Sequence, residues 1–363
     1  EALGVDAIGT RIDVNQNWQR SQRFNRPEVA GKICQCLQTH LEARDYSDIN
    51  EGEFFALALT YHLQEVNQDE HLWVKWHPES LPDDDGALRL NPAWQEEQKL
   101  KARLDNFGIH RLERLPGNIG IIDIRYLHKP ALGGDTVMAA MAFLTHTNAL
   151  LIDLRNCSGG YPGMIALVAS FLFGPEPIHL SNIYWRDDNK TQQYWTLPYV
   201  PGERYVEKPV YVLISKATFS AGEELASILQ TRQRATIIGE KTDGGAHPGT
   251  SYRLHPHFEV FIPIGQVTNP VTGEDLEGIG ASPDFVMPQE KAYSAAYHLA
   301  LKEVLVSLAQ APSETCQALA REAEIALNDL ASIHHFCPGC SYPNPLHRVT
   351  CKNCDRPLIL HKG

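Results

Sequence analysis

Two groups of residues in this chain have the types and spacing to do chemistry. The first is Thr218-Phe219-Ser220-Ala221-Gly222-Glu223-Glu224, where an apolar run gives way to a helical pattern. A serine at such a junction has its hydroxyl beside free backbone N–H groups and the positive end of a helix. That suits a nucleophile and an oxyanion site, although serine at a helix start is ordinarily only a cap. A second segment adds weight: Asp153-Leu154-Arg155-Asn156-Cys157-Ser158-Gly159-Gly160 again ends an apolar run, and paired glycines let N–H groups face a ligand unobstructed. Two strand ends donating to one point make an oxyanion hole. The second group is Cys337-x2-Cys340-x10-Cys351-x2-Cys354. Two such knuckles put four thiolates in tetrahedral range of one Zn²⁺, and four cysteines leave no open position for catalysis. A fold of about 25 residues cannot bury a core, so a structural zinc would supply its folding energy.

These residues need elements to hold them. Val29, Ile33, Leu37 and Leu41 recur on one helical face after Asn25 and Pro27, and a second helix from about Ser47–Asp48 carries Phe54, Phe55, Leu59 and Leu63. The first 75 or so residues therefore read as helical, followed by a polar stretch over 78–85 and a charged surface helix over 96–103. From Gly117 strands alternate with helices: strand 119–124, helix 136–144, strand 150–154, helix 164–173, strand 210–214, helix 221–229, strand 236–238. That alternation predicts a parallel sheet with crossover helices. Residues 252–254 and 258–262 read as a hairpin with His255–His257 at its turn, and helices over 294–308 and 315–333 lead to the cysteines.

Composition narrows the function classes. Of 363 residues 43% are hydrophobic and 21% charged, which excludes general disorder. The 44 acidic residues outnumber 32 basic ones, for a net charge of −12, which argues against nucleic acid as a partner of the main body. In the cysteine module, Arg348, Lys352, Arg356 and Lys362 outweigh Asp355, a balance that allows weak RNA contact there. No apolar run approaches the roughly 18 residues of a membrane span. Cys34, Cys36, Cys157 and Cys316 are scattered as buried small hydrophobes are, not as a disulfide framework, so a reducing, cytoplasmic setting is expected. The first residue is Glu rather than Met, which leaves room for a removed signal peptide.

Taken together the segments resemble the tail-specific (C-terminal processing) serine peptidases, in the branch with the tricorn core and interphotoreceptor retinoid-binding protein modules. The carriers are Asp69-Glu70-His71-Leu72, the D-x-R-x-x-x-G-G segment, the Ser220 segment, the stretch from Gly239 to Pro248, and the stretch from Leu276 to Asp284. The resemblance implies an α/β fold: a crotonase-like core with an N-terminal helical cap, plus a small C-terminal zinc ribbon. Domains are expected at 1–80 (helical), 81–310 (peptidase core), 311–334 (helical linker) and 335–363 (ribbon), with a polar linker keeping the ribbon's core apart. The resemblance further makes Ser220 the nucleophile, His71 its general base, Glu277 the group orienting that histidine, and Ala221 with Gly159 or Gly160 the oxyanion donors. His247 and Arg155 are expected to shape the site.

Two departures refine this. The bacterial branch uses a lysine base in a T-x-G-K-G segment, but glycine stands at the matching place in Thr242-Asp243-Gly244-Gly245-Ala246, which favours Ser–His–Glu. Only about 45 residues separate His71 from Gly117, too few for a PDZ module. The expected protein is a serine peptidase acting on peptides or proteins without a catalytic cofactor, its activity rising through the imidazole range of about 6–7. The alternative on the same scaffold is a non-catalytic binder of retinoids or fatty acids.

Overall fold

The computed structural model describes residues 27–82, 92–186, 188–310 and 313–358. The expected start signal at Asn25, the end of the polar stretch at 83–85, and Lys362 lie outside them. The described residues begin with helices α1 (Pro27–Glu42) and α2 (Gly52–Asn67) and the short strand β1 (Trp73–Trp76). Helix α3 (Pro92–Leu104) precedes β2 (Ile109–Leu115), β3 (Ile119–Ile124), α4 (Pro130–Leu144), β4 (Ala149–Asp153) and α5 (Pro162–Leu172). Next come β5 (His179–Trp185), β6 (Lys190–Trp195), β7 (Val210–Ile214), α6 (Ala221–Thr231) and β8 (Thr236–Gly239). Strands β9 (Gly249–His255), β10 (Phe258–Pro263), β11 (Gly265–Thr268) and β12 (Phe285–Val286) lead to the long helices α7 (Gln289–Leu308) and α8 (Glu314–Ile333).

The central sheet has the order β12-β8-β7-β4-β3-β2 and is parallel except for β2, which runs antiparallel to β3. Alternate side chains of its strands enter two cores, because successive residues point to opposite faces. Ile122, Ile152, Val212 and Ile237 pack against α4, α5 and α6. Ile121, Leu151, Leu213 and Ile238 pack against Ala292, Ala296 and Leu301 of α7. This is the mixed α/β architecture that strand–helix alternation implied.

Two expectations need correction. The N-terminal region is not helical throughout: Trp73 to Trp76 pair with Phe261 to Phe258 of β10, so the helices are stitched to the body through the sheet β1-β10-β9. Nor does a polar linker set the ribbon apart. Cys337, Tyr342, Cys351 and Leu358 share one buried cluster with α7 and with Ala323 and Ala326 of α8, and Phe336 stacks on His298 of α7 at 4.0 Å.

Candidate active site

Ser220 sits at the turn from β7 into α6 with φ 51° and ψ −119°, a left-handed backbone that a non-glycine residue holds only where its surroundings enforce it. The enforcement is visible. After β7, Thr218 Oγ1 donates to Leu154 O at 2.8 Å, and Phe219 N–H donates to Cys157 O at 2.9 Å. The loop after β7 is thereby laid along the loop after β4. Glu223, fully buried one turn into the helix, accepts from the N–H groups of Ser220 (2.7 Å), Gly244 (2.9 Å) and Gly245 (2.8 Å).

The expected oxyanion residues converge on this serine. A Cβ on Gly159 would lie 2.8 Å from Ser220 Cβ, and one on Gly160 would lie 2.2 Å from Leu127 O. Both positions have positive φ, 107° and 139°, so glycine is required on two counts. Ala221 is the first residue of α6, where N–H groups lack intrahelical acceptors. Gly160, Ser220 and Ala221 line one cleft.

His71 reaches the same place from the loop between α2 and β1. Its ring lies 4.5 Å from that of Phe219, centre to centre. A Cβ on Gly245 would come within 2.3 Å of Phe219 and 2.8 Å of His71 Cε1. The glycine that replaces the lysine thus leaves the room that this imidazole occupies. Burial pushes the His71 pKa down to about 4, His247 reinforces the shift and Asp69 opposes it. His71 is therefore neutral at physiological pH.

Glu277 does not stand where the orienting role would put it. Its Oε2 accepts from Ala246 N–H at 2.7 Å and lies 3.3 Å from His247 Nδ1. The carboxylate beside His71 is Asp69, whose Oδ1 accepts from the His71 backbone N–H at 2.9 Å and lies 4.0 Å from Nδ1. Asp69 Oδ2 meanwhile meets His247 Nδ1 at 2.7 Å, and Asp275 stands 3.5 Å from Nε2. Burial alone would lower the His247 pKa, yet hydrogen bonds to Asp275 and Asp69 with the charge of Glu277 raise it to about 9. Burial and the Asp69 charge raise Glu277 to about 7. The His247 imidazolium is thus the cation that lets three carboxylates share a dry site. Arg155 binds Asp153 at 2.6 Å and Gln289 O at 2.8 Å, tying β4 to α7 away from the cleft.

The four ribbon cysteines form one cluster, with Sγ–Sγ separations of 3.5 Å (337–354), 3.6 Å (340–351) and 3.5 Å (340–354). Tetrahedral zinc with Zn–S of about 2.3 Å spaces its sulfurs by about 3.8 Å, so the donor set fits that ion. Backbone N–H groups of Gly339 and Asn353 point at the sulfurs of Cys337 and Cys351 at 3.4 and 3.3 Å. Asn344, wholly buried, braces the knuckles by donating to Tyr342 O at 2.9 Å and accepting from Lys352 N–H at 2.7 Å.

Residues 118–287 match the model of peptidase family S41. Over those residues the chain is similar to that family. It is 31% identical over 139 residues to a carboxyl-terminal-processing protease of Synechocystis sp., covering 38% of this chain and 31% of that protein. It is 27% identical over 201 residues to the chloroplastic carboxyl-terminal-processing peptidase 2 of Arabidopsis thaliana, covering 49% and 35%. The chain therefore spans about a third of the length of these curated relatives. Among solved structures it is similar to the tricorn protease, with a TM-score of 0.49, 12% identity, and coverage of 76% of this chain and 34% of that one. These relatives are carboxyl-terminal-processing proteases or peptidases by name, and among the described residues no helix is long and apolar enough to cross a membrane.

Proposed function

We propose that the chain is a serine peptidase in which Ser220 is the nucleophile and His71 its base, on a crotonase-like core spanning about 81–310. The observation that carries this reading is the strained Ser220 at a helix start, packed against Gly159, with a neutral buried imidazole one residue away. In the first step Ser220 Oγ bonds to the scissile carbonyl carbon while its proton passes to His71. The N–H groups of Ala221 and of Gly159 or Gly160 take the oxyanion. His71 then protonates the departing amine, and water, deprotonated in turn by His71, releases the acyl group. Asp69 compensates the transient imidazolium, and Glu277 acts at one remove through His247.

A zinc ion held by Cys337, Cys340, Cys351 and Cys354 would be structural, fixing the ribbon against α7. The ribbon then serves to position a partner or substrate. The retinoid or fatty-acid reading is disfavoured because the space beside Ser220 includes the buried carboxyl of Glu224, which an apolar chain would leave unpaired. Fluorophosphonate labelling with mapping of the modified residue tests the scheme. Label on Ser220, lost in Ser220→Ala, is expected; a wild-type chain that ignores the probe from pH 5 to 9 sinks it.

A further inference from the structure

The cleft beside Ser220 has a feature that hydrolysis itself does not use. Ile183 and Val267, direct partners across the β5–β11 pairing, form an apolar wall with Leu276 and Pro248. The closed cavity is small, about 30 Å³, and it opens to solvent, where a side chain would enter. Among the described residues lining it, Glu224 is the one that ionises.

Glu224 is held rigidly with respect to the nucleophile, since its N–H donates to Ser220 O at 3.0 Å within the first turn of α6. Only 8% of the residue is exposed, and among the described residues its Oε1 has no hydrogen-bond partner. Burial pushes this carboxyl up to about 7, with the Ser181 hydroxyl pulling it partly back. A buried oxygen without a donor is unusual and costly, and it marks a place where an arriving group supplies the missing bond.

We propose that this cleft receives the substrate side chain next to the scissile carbonyl, and that Glu224 selects one with an aliphatic stem and a cationic head, namely lysine or arginine. The stem matches the walls of Ile183, Val267 and Leu276, and the head carries donors without acceptors, as an orphaned carboxyl oxygen demands. The inference rests on Ser220 being the nucleophile, because that places the cleft beside the reacting carbonyl.

The test uses peptides differing at that one position: lysine, arginine, norleucine, alanine or glutamate. Two readouts run in parallel, kcat/KM with the active chain and calorimetric affinity for the Ser220→Ala chain, which needs no chemistry. Lysine should exceed norleucine by about 10- to 100-fold, the worth of a charge-assisted hydrogen bond. Glu224→Gln, an isosteric change, should shrink the ratio to within about threefold, and Glu224→Leu should invert it. A wild-type chain treating lysine and norleucine alike in both readouts overturns the proposal, as does a preference that survives Glu224→Gln. If Ser220 ignores fluorophosphonate, the hydrolytic reading falls separately, and the calorimetric ratio still decides what the cleft selects.

Discussion

Asp69 Oδ2 and His247 Nδ1 meet at 2.7 Å, joining the loop after α2 to the loop before β9. Both side chains are almost wholly buried, so their contact is neither screened by salt nor replaceable by water. Because the other oxygen of Asp69 holds the His71 backbone, the pair fixes where His71 stands relative to the body.

Asp69→Asn should therefore damage activity and folding together. It leaves the His247 cation short of its nearest anion, a change that costs about 3–5 kcal/mol in comparable buried pairs. His247→Gln removes the partner charge instead. The double variant should be less unstable than the two single losses added, since each alone strands the other's charge. Chemical denaturation of all three, with Ser220 labelling rates, checks this; strict additivity would show that the two groups do not act as a pair.

The pH dependence follows from the two histidines. His71 must be neutral to accept a proton, and its lowered pKa of about 4 puts the acid limb of kcat/KM near pH 4–5, below the 6–7 that an ordinary imidazole implies. For stability the signs are opposite. His71, depressed in the fold, contributes stability that is present above about 6.5 and is lost as pH falls toward 4. His247, raised to about 9, contributes stability present below about 6.5 and lost as pH rises through 9. The parent should lose melting temperature between pH 7 and 9, and His247→Gln should flatten that loss. An unchanged alkaline slope would mean that His247 is not the group responsible.

How much of this was legible in the sequence depends on whether the signal is local. The Ser220 turn, the glycine pair and the cysteine knuckles are short runs whose geometry is set by neighbours in sequence, so the sequence alone singles them out as candidates. The sheet β1-β10-β9 did not, because Trp73 to Trp76 is four residues long and its strand character comes from pairing with β10. Strand β6 is exposed along most of its length and lacks the apolar alternation that marks a strand. Glu277 was linked to His71 through family resemblance, whereas its contacts are with His247 and Ala246. Glu223 and Glu224 look in sequence like a pair complementing a helix dipole. Only their burial reveals that one braces the loops and the other faces the cleft.

Loss of the zinc proposed for the ribbon should reach the main body. Cys351→Ser leaves three thiolates, too few to hold zinc firmly, and the knuckles then lose the order that presents Phe336 to His298. Since Cys337, Tyr342 and Leu358 belong to the same buried cluster as α7, the sheet loses cover on that face. Elemental analysis should find about one zinc per parent chain and much less in the variant. Calorimetry should show one lowered transition. A body melting as before beside a metal-free ribbon would mean that the shared cluster contributes little.

Gly245→Ala is the sharpest test of where His71 stands. The added methyl carbon would lie 2.3 Å from the Phe219 ring and 2.8 Å from His71 Cε1, distances at which something must move. Neither ring is the free end of a flexible chain: Phe219 is pinned by its N–H bond to Cys157 O, and His71 by Asp69. Overpacking of this kind typically costs about 1–3 kcal/mol of stability. The displacement of His71 matters more for the chemistry, because a base misplaced by about 1 Å can lose about 100-fold in rate. Peptide hydrolysis should therefore fall by about two orders of magnitude at a pH where His71 is neutral. The chain should remain folded, and fluorophosphonate labelling of Ser220 should slow in parallel. Full activity with an alanine at 245 would place the working base elsewhere than His71.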